Sequence, residues 1–374
     1  MKKLTKTLLG VIILFCFTGC GGRTEEIISP WANIGAIAET DESWLYFHGN
    51  QLYLLSKEKN GKPEPWCIEE GCDHTGFTGC PSLLYHKYPN TLAVDEKYAY
   101  IAGLEEGQLY LYRMSMEGKA GSLERWKALA DVSDSYCGVE TIEIGGNWYY
   151  LLGTAGEDQK FSWSLGKVEL KDGSQKTIYT AEEGESLENL KVQKGKIYVS
   201  SWIGEESRIL CMDEKGNKEE VLSEAVYSYV IKEDQLYYSG ETPGIWKKDL
   251  KTGEVKCWIE REENWLGISW DGKYWYADNF NAVRLSPGEE YDEEKARLAN
   301  RSVFVYDEEG KQVDEIHADS ISGECLFGGP EALVLATGEG GTITYMLFDK
   351  SQIGKERDNN SKESILRQYK SMSK

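Results

Sequence analysis

Histidine is scarce in this chain, and the sequence motifs of the common enzyme classes are missing. Only 4 of the 374 residues are histidine. The sequence has no nucleophile elbow, Walker loop, dinucleotide fingerprint or zincin helix. Carboxylates are so numerous that a pair suited to glycoside chemistry could be picked by chance. We therefore assign no catalytic and no organic cofactor-binding residue, and we expect that the protein is not an enzyme.

Positive charge is also in short supply. The chain has 42 Lys and Arg against 63 Asp and Glu, which gives a formal net charge of −21. Such a surface repels the phosphate backbone of nucleic acids, so nucleic-acid binding is excluded as an expected function. The same charge favours solubility and association with cations or basic partners.

The sequence also has few segments with the pattern of a long amphipathic helix, and short aromatic segments typical of strands are frequent instead. Aromatic residues make up 12% of the chain, including 23 Tyr and 12 Trp, which indicates an all-β protein. A turn followed by a short aromatic or aliphatic strand recurs every 38 to 59 residues. The copies lie at 44–47, 98–101, 148–151, 197–200, 236–239, 274–277 and 333–336. This period predicts a single β-propeller over residues 31–354 with seven four-stranded blades, or alternatively six or eight.

Each copy is predicted to be strand b, the second strand of its blade counted from the axis. Glycine-bearing turns at Asp172-Gly173, Lys215-Gly216, Thr252-Gly253 and Glu309-Gly310 fit the hairpin between strands c and d. The last copy has no evident fourth strand. Residues 25–30 are the nearest candidate for a closing strand, and residues 355–374 are predicted to be a flexible tail.

The first twenty residues have the pattern of an export signal. Lys2, Lys3 and Lys6 precede an apolar segment at 8–17, which is short for a membrane span. The segment ends in Phe17-Thr18-Gly19-Cys20 and resembles a bacterial lipoprotein signal, with Phe17 where such signals usually carry Leu. This resemblance implies a signal peptide at 1–19, lipidation of Cys20, a tether at 20–30, and an extracytoplasmic protein anchored to the cell membrane.

Two long connections interrupt the repeat. Residues 67–90 separate strand d of the first blade from strand a of the second, and residues 278–300 separate strands b and c of the sixth. In a propeller, d–a and b–c connections emerge at the same end, which we call the insertion face. Long loops on a rigid scaffold are frequent binding sites, so this face is the predicted working surface.

The first of these connections contains one compact chemical motif. Cys67-x4-Cys72-Asp73-His74-x5-Cys80 collects three thiols and one imidazole within fourteen residues. Cys67, Cys72, His74 and Cys80 form a complete ligand set for a structural, tetrahedral zinc ion. Gly71, Gly76 and Gly79 would let one loop wrap around the ion.

Other states of these cysteines stay open. Outside the membrane two of them could form a disulfide, or one could pair with Cys137 on the same predicted face. All could also remain reduced. Cys211, Cys257 and Cys325 lie in strand-like runs and are predicted to be small apolar packing residues.

The cysteine motif, the leader and the repeat together resemble TolB-like propeller lipoproteins of anaerobic Gram-positive bacteria. The resemblance implies the fold and the location and carries no activity. Our main hypothesis is a monomeric, membrane-anchored, non-catalytic propeller that binds a protein, peptide or glycan. The alternatives are a metal-handling or redox protein that uses the Cys/His loop, and a propeller hydrolase or lyase.

Overall fold

A computed structural model of the chain describes a set of ranges that are almost entirely strands and tight turns. The ranges are 37–39, 42–48, 51–57, 63–67, 72, 80, 91–94, 97–116, 123–132, 137–144, 146–155, 161–264, 266–278, 302–317, 326–328, 332–339, 342–355 and 367–369. The predicted signal peptide, Cys20 and His74 lie outside them. Within these ranges the one helical segment is the 3-10 turn Lys350–Gln352, so they contain no helix with the length and apolarity to cross a bilayer.

The strands form seven four-stranded antiparallel sheets, and each sheet uses four consecutive strands. The first comprises β1 (Ile37–Glu39), β2 (Ser43–His48), β3 (Gln51–Ser56) and β4 (Pro63–Pro65). The second comprises β5 (Thr91–Val94), β6 (Tyr98–Glu105), β7 (Gln108–Ser115) and β8 (Glu124–Asp131). The third comprises β9 (Cys137–Ile144), β10 (Asn147–Ala155), β11 (Phe161–Glu169) and β12 (Gln175–Thr180).

The remaining four sheets repeat this order. The fourth is β13 (Glu185–Gln193), β14 (Lys196–Ile203), β15 (Glu206–Met212) and β16 (Lys218–Leu222). The fifth is β17 (Val226–Lys232), β18 (Gln235–Gly240), β19 (Ile245–Asp249) and β20 (Val255–Ile259). The sixth is β21 (Gly267–Trp270), β22 (Trp275–Asp278), β23 (Ser302–Tyr306) and β24 (Gln312–His317). The seventh is β25 (Leu326–Gly328), β26 (Ala332–Glu339), β27 (Thr342–Asp349) and β28 (Arg367–Tyr369).

Successive sheets pack through the first strand of each. Contacts join β1 to β5, β5 to β9, β9 to β13, β13 to β17, β17 to β21 and β21 to β25. First strands that meet in chain order, with the later strands of each sheet further out, define a β-propeller arrangement. The all-β class and the four-stranded propeller architecture expected from the sequence are confirmed.

The aromatic repeat forms strand b in every sheet, as predicted, and it supplies much of the core. In β10, Trp148, Tyr149 and Tyr150 are 1–3% exposed, and all four residues of β22 are buried. A strand b is covered on both faces because it lies between two neighbouring sheets, so its burial is nearly continuous. The outer strands β12 and β16 are largely exposed.

The turn between strands c and d begins with Asp and ends with Gly in several sheets. In the sixth sheet the carboxylate of Asp307 accepts backbone hydrogen bonds from Glu309 at 3.1 Å and Lys311 at 2.8 Å. Gly310 then adopts φ +87°. A Cβ on Gly310 would lie 2.9 Å from Cε2 of Trp258 in the fifth sheet. Glycine is therefore required at this turn both by its backbone angle and by close packing between sheets.

The fourth strand of the seventh sheet corrects one expectation. That position is occupied by β28, which pairs with β27 through Tyr345 opposite Tyr369, Met346 opposite Gln368 and Leu347 opposite Arg367. The strand belongs to residues 355–374, for which the sequence pattern predicts a flexible tail. Residues 25–30, the candidate closing strand, lie outside the described residues. Three polar residues with little alternation carry almost no strand signal, which explains the error.

Candidate functional site

Three cysteines of the first long connection converge. The sulfur atoms of Cys67, Cys72 and Cys80 all lie within 4.8 Å of one another. Cys80 is buried, whereas Cys67 and Cys72 are half-buried. None of the three forms a disulfide with a described residue. The predicted fourth ligand, His74, lies outside the described residues, so the structure brings together three of the four predicted metal ligands and leaves the fourth untested.

Cys67 is positioned by the end of the first sheet. The backbone N–H of Trp66 donates to the carbonyl of Leu52 at 2.9 Å, and that of Cys67 donates to the carbonyl of Pro65 at 2.7 Å. The Trp66 ring packs against the apolar cluster that includes Leu45 and Leu52 of the first sheet and Ala99, Ile101, Tyr112 and Met114 of the second. The first thiol therefore stands at a fixed point beside the packing surface of two sheets.

The remaining alternatives for these cysteines stay predictions. Cys137 begins β9, and its side chain is outside the described part of the structure. The same holds for the side chains of His48 and His317 at the ends of β2 and β24, and for all of His86. Cys211 is buried, as expected for a packing residue, and Cys257 is half-buried in β20.

The described strand bounds put the ends of both long connections at the insertion face. The chain leaves β4 at Pro65 and reaches β5 at Thr91, and it leaves β22 at Asp278 and reaches β23 at Ser302. These are a d–a and a b–c connection, and in an antiparallel meander such connections leave from the same end. The three cysteines belong to the first of them. The insertion face is defined below by all d–a and b–c connections.

Described connections on the insertion face are strongly acidic. They contain nine glutamates and a single cation, Arg261. The glutamates are Glu106, Glu182, Glu183, Glu205, Glu224, Glu241, Glu260, Glu262 and Glu263. Repulsion among so many like charges is tolerated because most are exposed to solvent and are screened by salt.

The opposite end of the propeller has a balanced charge. Its described a–b and c–d connections contain eleven acidic and ten basic residues. The acidic ones are Glu42, Asp172, Asp213, Glu214, Glu233, Asp234, Glu254, Asp271, Asp307, Glu308 and Glu309. The basic ones are Lys57, Lys97, Lys171, Lys194, Lys215, Lys251, Lys273, Lys311, Lys350 and Lys355. Within the described connections, negative charge is therefore distributed unevenly between the two ends.

Arg261 offsets only one of these nine carboxylates, because its guanidinium is paired with Glu263. Its guanidinium donates to Glu263 at 2.9 and 2.7 Å and lies 3.7 Å from the ring centre of Phe304. Burial alone would raise the pKa of Glu263, but the hydrogen bonds from Arg261 hold it below its ordinary value. Residues 260–263 line an open cavity of about 510 Å³. Glu260 and Glu262 are exposed beside it.

One carboxylate near the insertion face is buried and fully engaged. Glu185 begins β13, and its side chain is 0% exposed. It accepts hydrogen bonds from Tyr179 at 2.6 Å, from the backbone of Glu182 at 2.8 Å, from Arg208 at 3.3 Å and from Ser201. Burial would raise its pKa, yet these donors lower it below its ordinary value, so the group is ionised. We assign Glu185 a structural role, because its oxygens already have partners.

The charge difference between the two ends was not apparent from the sequence analysis. The net charge can be read from the composition, but assigning each acidic residue to an end requires the bounds of every strand. The signal is present in the sequence, because six of the described d–a and b–c connections carry Glu, whereas the described connections of the other type mix Glu or Asp with Lys.

Comparisons with known proteins support the fold. No family model matches the sequence, and the search of curated proteins gives no match. An oligogalacturonate lyase in complex with manganese aligns with a TM-score of 0.56 at 12% identity, over 86% of this chain and 90% of that one. A prolyl endopeptidase aligns with a TM-score of 0.55 at 13% identity, over 87% of this chain. The chain spans only 48% of that peptidase.

A putative TolB from Agrobacterium tumefaciens is also similar, over 76% of this chain and 81% of that one, at 13% identity. Its TM-score of 0.37 is too low to support an argument about function. At these identities the solved structures show that the chain shares the β-propeller fold, and the functions of those proteins do not transfer with it.

Proposed function

We propose that this protein is an extracytoplasmic, lipid-anchored, seven-bladed propeller that binds a basic protein or peptide through its insertion face, without catalysis. The observation that carries the proposal is the charge difference between the two ends. In the described connections, nine glutamates and one arginine lie at one end, with Arg261 paired to Glu263, against eleven acidic residues and ten lysines at the other. Complementary charge accelerates encounter and selects basic partners.

The blade number rests on the seven sheets and the six consecutive contacts between their first strands. A ring of seven blades closes when β25 packs beside β1, which would cover the inner strands at both ends of the array. The anchor rests on the lipoprotein-like leader and Cys20. Acylation of Cys20 would hold the propeller at the outer surface of the cell membrane.

A basic polypeptide is favoured over a glycan as the ligand. Sugar sites commonly use exposed aromatic rings for stacking, and in the described residues the aromatic repeat is used in the core, as with Trp148 and Trp275 at 1% exposure. Phe161, at the start of β11, is the one aromatic among the exposed large apolar residues that the structure describes. The acidic connections offer a more extensive recognition surface than this ring.

A lyase or hydrolase is the second candidate, and no specific observation favours it. Manganese belongs to the similar lyase, and that likeness shows the fold alone. Among the described residues, the group of His, Cys, Asp and Glu side chains with the spacing of a metal site consists of three cysteines. Thiolates suit zinc-like ions, whereas manganese prefers carboxylate and water oxygens.

Two charge-reversal variants with equal net charge test the proposal. The first carries Glu205→Lys, Glu241→Lys and Glu262→Lys on the insertion face. The second carries Glu233→Lys, Glu254→Lys and Glu309→Lys at the opposite end. All six residues are exposed. The full chain is purified in detergent, and binding of a lysine-rich peptide is measured by fluorescence anisotropy at fixed salt.

We expect the insertion-face variant to lose at least about tenfold in affinity and the opposite variant to change by less than about twofold. The same pair is then used to recover partners from envelope extracts by cross-linking. Equal weakening of both variants would mean that only net charge matters and would refute a specific binding face. A partner captured equally well by both variants would also refute a specific binding face.

A further inference from the structure

We infer that Cys67, Cys72 and Cys80 bind one zinc-like divalent ion as thiolates, and that this ion fixes the outer strand of the first sheet. The inference does not depend on the proposed binding function. Its basis is the mutual approach of the three sulfur atoms to within 4.8 Å. Zn–S bonds of about 2.3 Å in a tetrahedral site place the sulfurs roughly 3.8 Å apart, so small side-chain rotations suffice.

The residue types select the class of ion. Three thiolates are soft ligands, which among divalent ions suit zinc and disfavour magnesium, calcium and manganese. A disulfide would use two sulfurs at about 2.05 Å and would leave the third thiol unused in the same small space. One ion satisfies all three at once. The sequence predicts His74 for the fourth position, but the inference uses the three cysteines alone.

The first sheet has a specific need for such a clamp. Its outer strand β4 has only three residues, and two of them, Pro63 and Pro65, have no backbone N–H. Glu64 is therefore the only residue of β4 that can donate to a ladder. The outer strand of the second sheet, β8, is eight residues long. β4 is therefore held to its sheet by fewer backbone hydrogen bonds than β8.

Cys67 follows β4 after a single intervening residue, Trp66. A metal bond at Cys67 would tie the end of β4 to Cys80, a buried side chain thirteen positions later. The ion would also close the loop through Cys72. Because Trp66 packs between the first and second sheets, fixing its neighbour helps keep that ring in place. Metal binding would in this way contribute folding free energy locally, as in other structural thiolate sites.

Metal content of cysteine variants is the first test. The full chain is purified in detergent under anaerobic conditions and analysed by mass spectrometry for metals. We expect about one zinc per chain, and less than about a tenth of that in Cys67→Ser, Cys72→Ser and Cys80→Ser. Cys257→Ser is the matched control, because Cys257 is half-buried in β20, away from the cluster. It should retain its zinc.

Cobalt substitution identifies the ligands. Co²⁺ bound by thiolates gives an intense near-ultraviolet charge-transfer band, which should appear in the wild-type chain and in Cys257→Ser. The band should be lost in the three cluster variants. A Cys257→Ser variant that loses metal as fully as the others would overturn the assignment.

Hydrogen exchange on the wild-type chain avoids any dependence on variants that fail to fold. Removal of zinc by a chelator should speed exchange in residues 51–67 and leave β18 and β19 unchanged, and added Zn²⁺ should reverse the effect. Unchanged exchange in residues 51–67 would refute the clamp. A disulfide between any two of the three cysteines in non-reduced peptide maps, with no bound metal, would refute the site itself.

Discussion

Lys350 donates from Nζ to Oδ2 of Asp271 at 2.5 Å and thereby joins the seventh sheet to the sixth. Both side chains are less than one-tenth exposed. The same carboxylate accepts hydrogen bonds from the backbone of Lys273 at 2.8 Å and of Tyr274 at 2.7 Å, and from the hydroxyl of Tyr276 at 2.6 Å. The buried anion is therefore well satisfied, and loss of either partner would leave a buried charge.

Removing this carboxylate should destabilise the protein strongly. Asp271→Ala leaves the Lys350 ammonium buried without its partner, so we expect the free energy of unfolding to fall by about 3–5 kcal/mol. Urea denaturation followed by circular dichroism measures it. Asp234→Ala, which breaks the exposed pair with Lys251, is the control and should leave the denaturation midpoint almost unchanged. Equal midpoints for the two variants would contradict a buried inter-sheet pair.

Glu185 should make stability depend on pH in the acid range. Burial opposes ionisation of Glu185, but its donors lower the pKa below the ordinary value. The unfolded chain therefore binds a proton more readily, so the stabilisation is complete above the ordinary pKa and is lost as pH falls through the folded pKa. Denaturation midpoints between pH 7 and pH 3 should fall less steeply in Glu185→Gln than in the wild-type chain. If the denaturation midpoints of the two proteins fell equally with pH, Glu185 would not contribute to the pH dependence of stability.

Gly310 and Gly253 should differ in their tolerance of alanine. Both have positive φ, +87° and +77°, so each Gly→Ala change costs about 1–2 kcal/mol in backbone strain. A Cβ at Gly253 meets nothing within 4 Å, whereas one at Gly310 meets Trp258 at 2.9 Å. We expect Gly310→Ala to lower the free energy of unfolding by about 1–3 kcal/mol more than Gly253→Ala does. Urea denaturation of the two variants measures this difference. Equal stability of the two variants would mean that the turn can shift away from the Trp258 ring without cost.

Deleting β28 should promote aggregation. A chain ending after Lys355 lacks the fourth strand of the seventh sheet and exposes the edge of β27 at Tyr345, Met346 and Leu347. Static light scattering during incubation at 37 °C should rise faster than for the intact chain. A control that lacks only residues 370–374 keeps β28 and should behave like the intact chain. Similar scattering from both truncations would show that β28 does not protect this edge.

The sequence predicted those parts of the fold that depend on local pattern. Strand b was located in all seven sheets because its aromatic residues repeat after a turn, and Cys67, Cys72 and Cys80 were grouped because short spacing keeps them together. Both long connections were also placed correctly between their strands. In each case the information is a motif or a spacing along the chain and needs no knowledge of which distant residues meet.

Features that depend on distant partners were not predictable. Asp271 and Lys350 are 79 positions apart and look like ordinary surface residues in the sequence. The need for glycine at Gly310 comes partly from Trp258, which belongs to a different sheet. β28 is short and polar, so only its pairing with β27 identifies it as a strand.

Every sheet takes its four strands from one uninterrupted stretch of chain, including the first at 37–65 and the seventh at 326–369. A break in any connection between sheets would therefore cut no ladder of backbone hydrogen bonds. Circular permutants opened at such connections should keep all seven hydrogen-bonded units whole. Duplication or loss of one complete unit is likewise the smallest rearrangement that leaves each remaining ladder intact, which suits a fold that diverges by changing its number of repeats.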